Sequence, residues 1–363
     1  MTRTVVFTGD IFRQQPRGGI TRYVLELIAR LTRPVELVLG AHQSIDPGLA
    51  EAGPRLAVAL PPVRGIHRVT GPLGGLVDAW LVARRRGVIL HPTYYRDPRG
   101  LPRREPLVVT VHDMTHERLA GAFPARGRRS DPARFKAALC ARADRLACYS
   151  EATRRDLEEF LRVPADRVRV TPLASRDWSA IAAEPLAAPR PFLLWVGERH
   201  AYKNFLPTLA ALARTPEAND LDLLCAGGGA WRPEERAAIA SHGLAARVHQ
   251  GDLSDGALRW AYEHAVGLLY PSLWEGFGLP ILEAYALGCP VLTSDRASLP
   301  ELAGDLGVVV APDDPASLAD GLARLVAADR GAPAREARRA HAGRWSWARC
   351  AAQHEQLYAE LDG

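Results

Sequence analysis

Short apolar runs, each closed by a turn signal and followed by helical periodicity, recur along this chain. That alternation restricts it to α/β folds built on parallel strands. Thr4–Thr8 is a β-branched run, Ile20–Leu31 carries apolar residues at helical spacing, and Val35–Leu39 is strand-like again, so a βαβ unit opens the sequence. Gly87–Leu90, Leu107–His112 and Arg145–Tyr149 have the character of strands buried on both faces. Residues 177–191, dense in alanine and proline, read as a linker. A second series begins beyond it with Phe192–Val196, Asp222–Ala226, Val248–Gly251, Gly267–Tyr270, Val291–Thr293 and Val308–Ala311. At 363 residues two doubly wound domains are expected, with ligands in the strand-to-helix loops. The tail over Trp345–Leu361 reads as a helix with Trp347, Cys350, Ala351, His354, Leu357 and Tyr358 near one face.

Composition narrows the function classes. With 47% apolar and 24% charged residues the chain is an ordinary globular protein. Five scattered cysteines without a C-x-x-C pair argue against a disulfide framework and a zinc site, and a reducing cytoplasm is expected. Met1–Phe12 lacks the apolar core of a signal peptide, and no 18-residue apolar stretch predicts a membrane span. Residues 1–190 hold 31 Lys and Arg against 19 Asp and Glu, a balance of +12; residues 191–363 hold 15 against 22, a balance of −7. The basic half reads as a solvated surface, as a docking face for an anionic acceptor or membrane, or as a nucleic-acid binder. Few aromatics interleave its arginines and it carries no nucleic-acid motif.

The most informative segment is Glu275-Gly276-Phe277-Gly278-Leu279-Pro280-Ile281-Leu282-Glu283, which joins the run Leu268–Tyr270 to a helix over Pro280–Leu287. Glycines allow backbone N–H groups to approach a ligand, and with a helix N-terminus they attract a diphosphate. Glu283 can then meet vicinal hydroxyls. The plainer alternative is a turn with Glu275 solvated and Glu283 favoured by the helix dipole. Trp195-Val196-Gly197-Glu198-Arg199-His200-Ala201-Tyr202-Lys203-Asn204 closes the second domain's first strand, where Arg199 offers a fork for phosphate oxygens and Lys203 a mobile point charge.

The segment from Tyr270 to Ala284 resembles the E-x7-E signature of family 4 retaining glycosyltransferases with the GT-B fold. The likeness continues through Gly288-Cys289-Pro290-Val291, Leu299-Pro300-Glu301 and Ala311-Pro312-Asp313-Asp314. In the first half Arg17-Gly18-Gly19-Ile20-Thr21-Arg22-Tyr23 resembles the family's glycine-rich loop, and Thr110-Val111-His112-Asp113 its His-Asp element. The resemblance implies a catalytic set of Arg199, Lys203, Glu275 and His112. It implies donor binding by Gly18, Gly19, Gly276, Phe277, Gly278, Leu279 and Glu283. By position Leu253 and Ser254 are expected to wall the nucleobase pocket. His112 and His116 have the separation of a zinc pair, but His112 ends a strand and the helical geometry for such a pair is missing. Ser150 reads as a helix N-cap.

What the resemblance implies is an α/β protein of GT-B fold, two Rossmann-like doubly wound domains facing across a cleft. Residues 1–172 would bind the acceptor, 173–191 would link, 192–344 would bind the nucleotide-sugar, and the C-terminal helix in 345–363 would cross back to the first domain. The implied activity is metal-independent, retaining transfer of a hexose from a nucleoside-diphosphate sugar, GDP-mannose foremost, to a glycan, lipid-linked or small-molecule acceptor. No cofactor, metal or nucleic acid is expected. The expected location is the cytoplasm, with peripheral membrane association through the basic half left open. A nucleotide-sugar 2-epimerase of the same fold and a non-catalytic nucleotide-sugar-binding subunit are the rival readings.

Overall fold

In the computed structural model, which describes residues 2–15, 18–42, 55–59, 79–119, 132–188 and 190–363, the chain divides into two compact units. The first contains residues 1–117, 123–173 and 347–363; the second contains 174–346 with 118–122. In the first, β1 (Val5–Thr8), β2 (Val35–His42), β3 (Arg55–Ala59) and β4 (Ile89–His91) pair in the order β3-β2-β1-β4. β5 (Val108–Val111), β6 (Arg145–Cys148) and β7 (Val168–Val170) follow in that order, and a parallel bridge between Leu90 and Leu107 joins the two sets. All pairings are parallel, with Val5 opposite both Val35 and Ile89. Helices among the described residues include α1 (Asp10–Gln14), α2 (Gly19–Ile28), α3 (Thr115–Arg118), α4 (Pro132–Arg142) and α5 (Glu151–Leu161). Ser150 caps α5 by accepting from the Thr153 amide at 3.1 Å.

The second unit has one sheet, ordered β10-β9-β8-β11-β12-β13. Its strands are β8 (Phe192–Val196), β9 (Asp222–Ala226), β10 (Val248–Gly251), β11 (Gly267–Tyr270), β12 (Val291–Ser294) and β13 (Val308–Val310). They alternate with α6 (Phe205–Arg214), α7 (Pro233–Ser241), α8 (Asp255–His264), α9 (Leu279–Ala286), α10 (Leu299–Ala303) and α11 (Pro315–Val326), and α12 (Ala332–Ala342) follows. Leu193, Trp195, Leu209, Leu212, Leu223, Leu269, Leu292 and Leu325 meet in one core, so the continuous apolar runs are covered by helices as a parallel sheet requires. The stretch read as a linker packs on α8, with Glu184 N donating to Gly256 O at 3.1 Å and Arg259 Nη1 to Trp178 O at 2.9 Å. The last helix, α13 (Trp347–Ala359), returns to the first unit and buries all six residues of its expected face.

Both sheets reverse direction once. In the first unit successive strands run from β1 to one side and from β4 to the other; in the second the reversal falls between β8 and β11. In open α/β sheets ligands bind beyond the carboxyl ends of strands at such switch points. The loops after β1, β4, β8 and β11 are therefore where each unit should carry its chemistry.

Candidate active site

The loops after β8 and β11 bring Lys203 and Glu275 together. A single 3₁₀ turn, Ala201–Lys203, follows β8, and the Leu273 amide in the β11 loop donates to the Tyr202 carbonyl at 2.7 Å. Lys203 Nζ then donates to Glu275 Oε1 at 2.5 Å and to the Tyr270 hydroxyl at 3.1 Å. Both charged side chains keep 14% of their surface in solvent. Burial, with Glu275 next, pushes the Tyr270 phenol well up, so it stays neutral, and Glu283 acts on it in the same direction. Tyr270 thus lies within the field of both carboxylates of the E-x7-E segment. Ser298 Oγ fixes the loop between them, its one proton shared between Phe277 O at 2.5 Å and Glu275 O at 3.0 Å. Gly276 and Phe277 are buried, Gly278 caps α9, and Leu279 opens it.

Glu283 is almost closed off from solvent on α9. Tyr262 OH donates to its Oε2 at 3.2 Å, and Arg176 Nε stands 3.5 Å from Oε1. Ser254 is committed to structure: its hydroxyl caps α8 by accepting from Ala257 N at 3.0 Å and donates to Glu184. Leu253 is half-buried in the loop after β10.

Arg199 is placed differently from Lys203. Its side chain is fully buried, with Nη1 donating to Gly227 O at 2.8 Å and Nη2 to Gly228 O and Gly229 O at 3.1 and 2.8 Å. Nε donates to Glu235 Oε1 at 3.2 Å. Gly227, Gly228 and Gly229 all have positive φ, which lets their carbonyls converge on one guanidinium. A Cβ on Gly228 would stand 2.3 Å from Arg199 Nη1. In this arrangement Arg199 organises the loop after β9, and its donors are spent there.

In the first unit Gly18 precedes α2 with φ 155° and ψ −177°, backbone open essentially to glycine alone, and Gly19 begins the helix. Arg17 lies outside the described residues. His112 follows β5 in a cage of aromatic rings, stacked on Tyr94 at 5.7 Å. Its amide donates to Tyr95 OH at 2.9 Å, and Nδ1 meets Tyr149 OH at 2.7 Å. Burial lowers its pKa to about 4 despite Asp113 and the nearby Thr93 carbonyl, so the ring is neutral. Nε2 is buried and makes no hydrogen bond among the described residues. Lys136, fully buried, braces the loop beyond by donating to Asp113 O at 2.8 Å and Glu117 Oε2 at 2.7 Å.

Comparison with known proteins decides the family. Glycosyltransferase Family 4 matches residues 17–174 and Glycosyl transferases group 1 matches residues 190–328. The chain is 29% identical over 385 residues to O-antigen chain mannosyltransferase B of Escherichia coli, covering 95% of this chain and 97% of that one. It is 30% identical to D-inositol 3-phosphate glycosyltransferase of Salinispora tropica, covering 94% and 81%. The chain belongs to the group 1, family 4 glycosyltransferases. Sucrose-phosphate synthase of Thermosynechococcus elongatus shares its fold with TM-score 0.76 at 21% identity, covering 99% of both chains. HepE of Anabaena, solved with UDP and glucose, does so with TM-score 0.73 at 16% identity, covering 99% and 100%. The two Rossmann-like units are those of the GT-B fold.

Sequence reading of this glycosyltransferase missed the group at the switch point of the first unit. Asp10, just after β1, is nearly buried and accepts from Thr8 Oγ1. It pairs with Arg13 at 2.9 Å and with Arg96 at 3.3 Å. Thr93, after β4, bonds both to Thr8 O and to the Ile11 amide, so the loops after β1 and β4 are fastened together. The available signal was a charged residue directly after the first strand, which the Gly9-Asp10 pair supplies. Another pattern was countable: of the 46 Lys and Arg residues only Lys136 and Lys203 are lysine, and each forms a short ion pair, with Glu117 and Glu275. Of the arginines of the basic half expected to dock an anionic or membrane-bound acceptor, Arg126, Arg128 and Arg129 lie outside the described residues, and Arg134 is exposed on α4. Among the described residues no helix is long and apolar enough to cross a membrane.

Proposed function

We propose that this glycosyltransferase moves a hexose from a nucleoside-diphosphate sugar, GDP-mannose before UDP- and dTDP-sugars, with retention of anomeric configuration and without a required metal. The observation that carries the reading is the Lys203–Glu275 pair beyond β8 and β11, with Tyr270 beneath it. A diphosphate arriving there takes the ammonium from Glu275 and frees the carboxylate for sugar hydroxyls. As the bond from the anomeric carbon to the diphosphate oxygen breaks, negative charge grows on the leaving group beside Lys203. The acceptor hydroxyl attacks the same face, and its proton passes to the departing phosphate oxygen. The cation assigned to the leaving group is Lys203. Glu283 is assigned to the ribose, and His112 Nε2 to a hydroxyl of the transferred sugar. The likeness to a mannosyltransferase along nearly its whole length supports mannose as the sugar. The acceptor, a glycan, lipid-linked or small molecule, is placed at Asp10, Arg13 and Arg96, where a peripheral membrane face would also present it.

Thermal unfolding with GDP, UDP and dTDP tests the donor, because a ligand at 100 times its Kd adds about 2.7 kcal/mol. GDP is expected to raise the midpoint most; a protein unmoved by all three is not a donor-binding transferase. In turnover with GDP-mannose after stripping divalent ions, the product should keep the donor's anomeric configuration. An inverted product, or complete metal-reversible loss of turnover, overturns the corresponding part of the reading.

A further inference from the structure

We infer that α13 is tied to its unit by one directed chain of hydrogen bonds that begins and ends on that helix, and that through Tyr23 the chain positions α2 and the glycine loop at its N-terminus. The direction of every bond follows from one backbone carbonyl. His354 Nδ1 lies 2.9 Å from Cys350 O, one turn earlier on α13, and a carbonyl only accepts, so Nδ1 carries the proton. The buried ring is neutral, its pKa lowered to about 4 by burial, and Nε2 is therefore an acceptor. Tyr23 OH, 2.9 Å away, donates to it. Having spent its proton, the Tyr23 oxygen accepts from Thr110 Oγ1 at 2.8 Å. Thr110 in turn accepts from His91 Nε2 at 2.8 Å. His91 is also neutral, so its Nδ1 accepts from Tyr358 OH at 2.6 Å, back on α13.

The chain crosses β4 at His91, β5 at Thr110 and α2 at Tyr23. It requires opposite tautomers, Nε2–H on His91 and Nδ1–H on His354. A half-satisfied buried network costs stability, whereas here each hydroxyl proton and each imidazole nitrogen has one use. Helix α13 holds α2 a second time beyond its C-terminus. Glu355 accepts from Thr32 N at 2.6 Å, Thr32 Oγ1 at 3.0 Å, Arg33 N at 3.2 Å and Arg33 Nε at 2.8 Å. With one grip mid-helix and one past its end, α2 cannot slide or rotate without breaking bonds to α13. Tyr23 lies one turn from Gly19, and its ring also packs edge-on against Tyr149, the partner of His112. The terminal helix thereby sets where the glycine loop stands.

The kinetic half of this inference rests on the transferase reading above; the hydrogen-bond half does not. Long-range ¹⁵N–¹H correlation of histidines in the full chain at pH 7.5 reads the tautomers directly. One neutral ring protonated on Nδ1, moved by Tyr23→Phe, and one on Nε2, moved by Tyr358→Phe, are expected. A charged ring, or His354 protonated on Nε2, refutes the chain even if the wild type transfers no sugar. In turnover, Tyr23→Phe and Thr110→Val should remain folded and keep the donor KM within twofold while kcat falls about tenfold. Tyr358→Phe, the end of the chain farthest from Tyr23, should fall less. Wild-type kcat in both Tyr23→Phe and Thr110→Val, with the tautomers as expected, overturns the positioning role. A variant that does not fold leaves Tyr358→Phe to decide, since it removes one terminal hydroxyl and no imidazole.

Discussion

Arg199 Nε stands 3.2 Å from Glu235 Oε1, with both side chains closed off from water and the other guanidinium donors spent on the carbonyls of Gly227, Gly228 and Gly229. Arg199→Ala removes the buried cation beside Glu235, which keeps the Arg232 amide at 2.8 Å, and strips the donors from the carbonyls of Gly227, Gly228 and Gly229, a loss of roughly 3–5 kcal/mol for one half of a buried pair. The melting midpoint should drop by about 10 °C. Gly228→Ala should destabilise in the same direction, because its Cβ would collide with the guanidinium. An Arg199→Ala protein that melts like the wild type but has lost turnover would return the arginine to the donor phosphates, the role its sequence context implied.

Lys203 is the opposite case, partly exposed and held mainly by a carboxylate that a ligand can replace. Lys203→Ala should melt near the wild type, lose about a hundred- to a thousandfold in kcat, and raise donor KM only modestly, since charge on the leaving group grows as the bond breaks. Lys203→Arg should recover only part of the turnover, because a planar fork places its donors differently from the point charge that contacts Glu275 Oε1 and Tyr270 OH. Near-normal kcat for Lys203→Ala on saturating donor would remove it from the chemistry.

The contrast between these two cations marks how far sequence carries. The apolar runs placed β8 and β11 because a strand covered on both faces must be apolar throughout. The face of α13 was legible for the same reason, since a 3.6-residue period brings Trp347, Cys350, His354 and Tyr358 into line. Direction was not legible. Arg199 and Lys203 stand four residues apart, and only the positive φ at Gly227–Gly229 turns three carbonyls onto one of them. Ser254 ends β10's loop as a helix cap, a role that competes with ligand contact for the same hydroxyl. β3 and β7 went unread because Arg55–Ala59 and Val168–Val170 are short and carry arginines among their few apolar positions.

Arg96 tests the acceptor side. It pairs with Asp10 beyond β4, so Arg96→Gln should raise acceptor KM by about tenfold and leave the affinity for nucleoside diphosphate unchanged, because that ligand is assigned to Lys203 and Glu283. Steady-state kinetics with each substrate varied in turn separates the two. An unchanged acceptor KM would leave the cluster a purely structural fastening of the two loops.

Stability should fall with acid earlier than in most proteins. Burial, with help from neighbouring histidines, holds His91 far below its ordinary value, and burial brings His112 and His354 to about 4. Unfolded histidines titrate near 6.5, so below that pH the unfolded chain takes up protons that the folded chain refuses. His112 and His354 then each remove up to roughly 1.4 kcal/mol per pH unit between about pH 6.5 and 4, His91 acts in the same direction, and none does so above. His91 faces His354 and His112, His112 faces Asp113 and Lys136, and His354 lies beside Glu355. Urea midpoints at pH 7.5, 6 and 5 should decline steadily, and His354→Gln should flatten that decline; equal midpoints at all three values would sink the prediction.

Helix α13 is the last element of the chain, yet it belongs to the unit that begins at the first strand. A polypeptide emerging from the ribosome completes all of residues 174–346 before it has the piece that covers β4, β5 and α2. The second unit can therefore reach its native state first, reversing the usual N-terminal-first order of synthesis. Until residues 347–363 emerge, Tyr23, His91 and Thr110 wait without the partners that satisfy them. A transcript truncated before Trp347 would yield a folded second unit joined to a first unit exposing polar groups and apolar surface together, which marks a chain for aggregation or proteolysis.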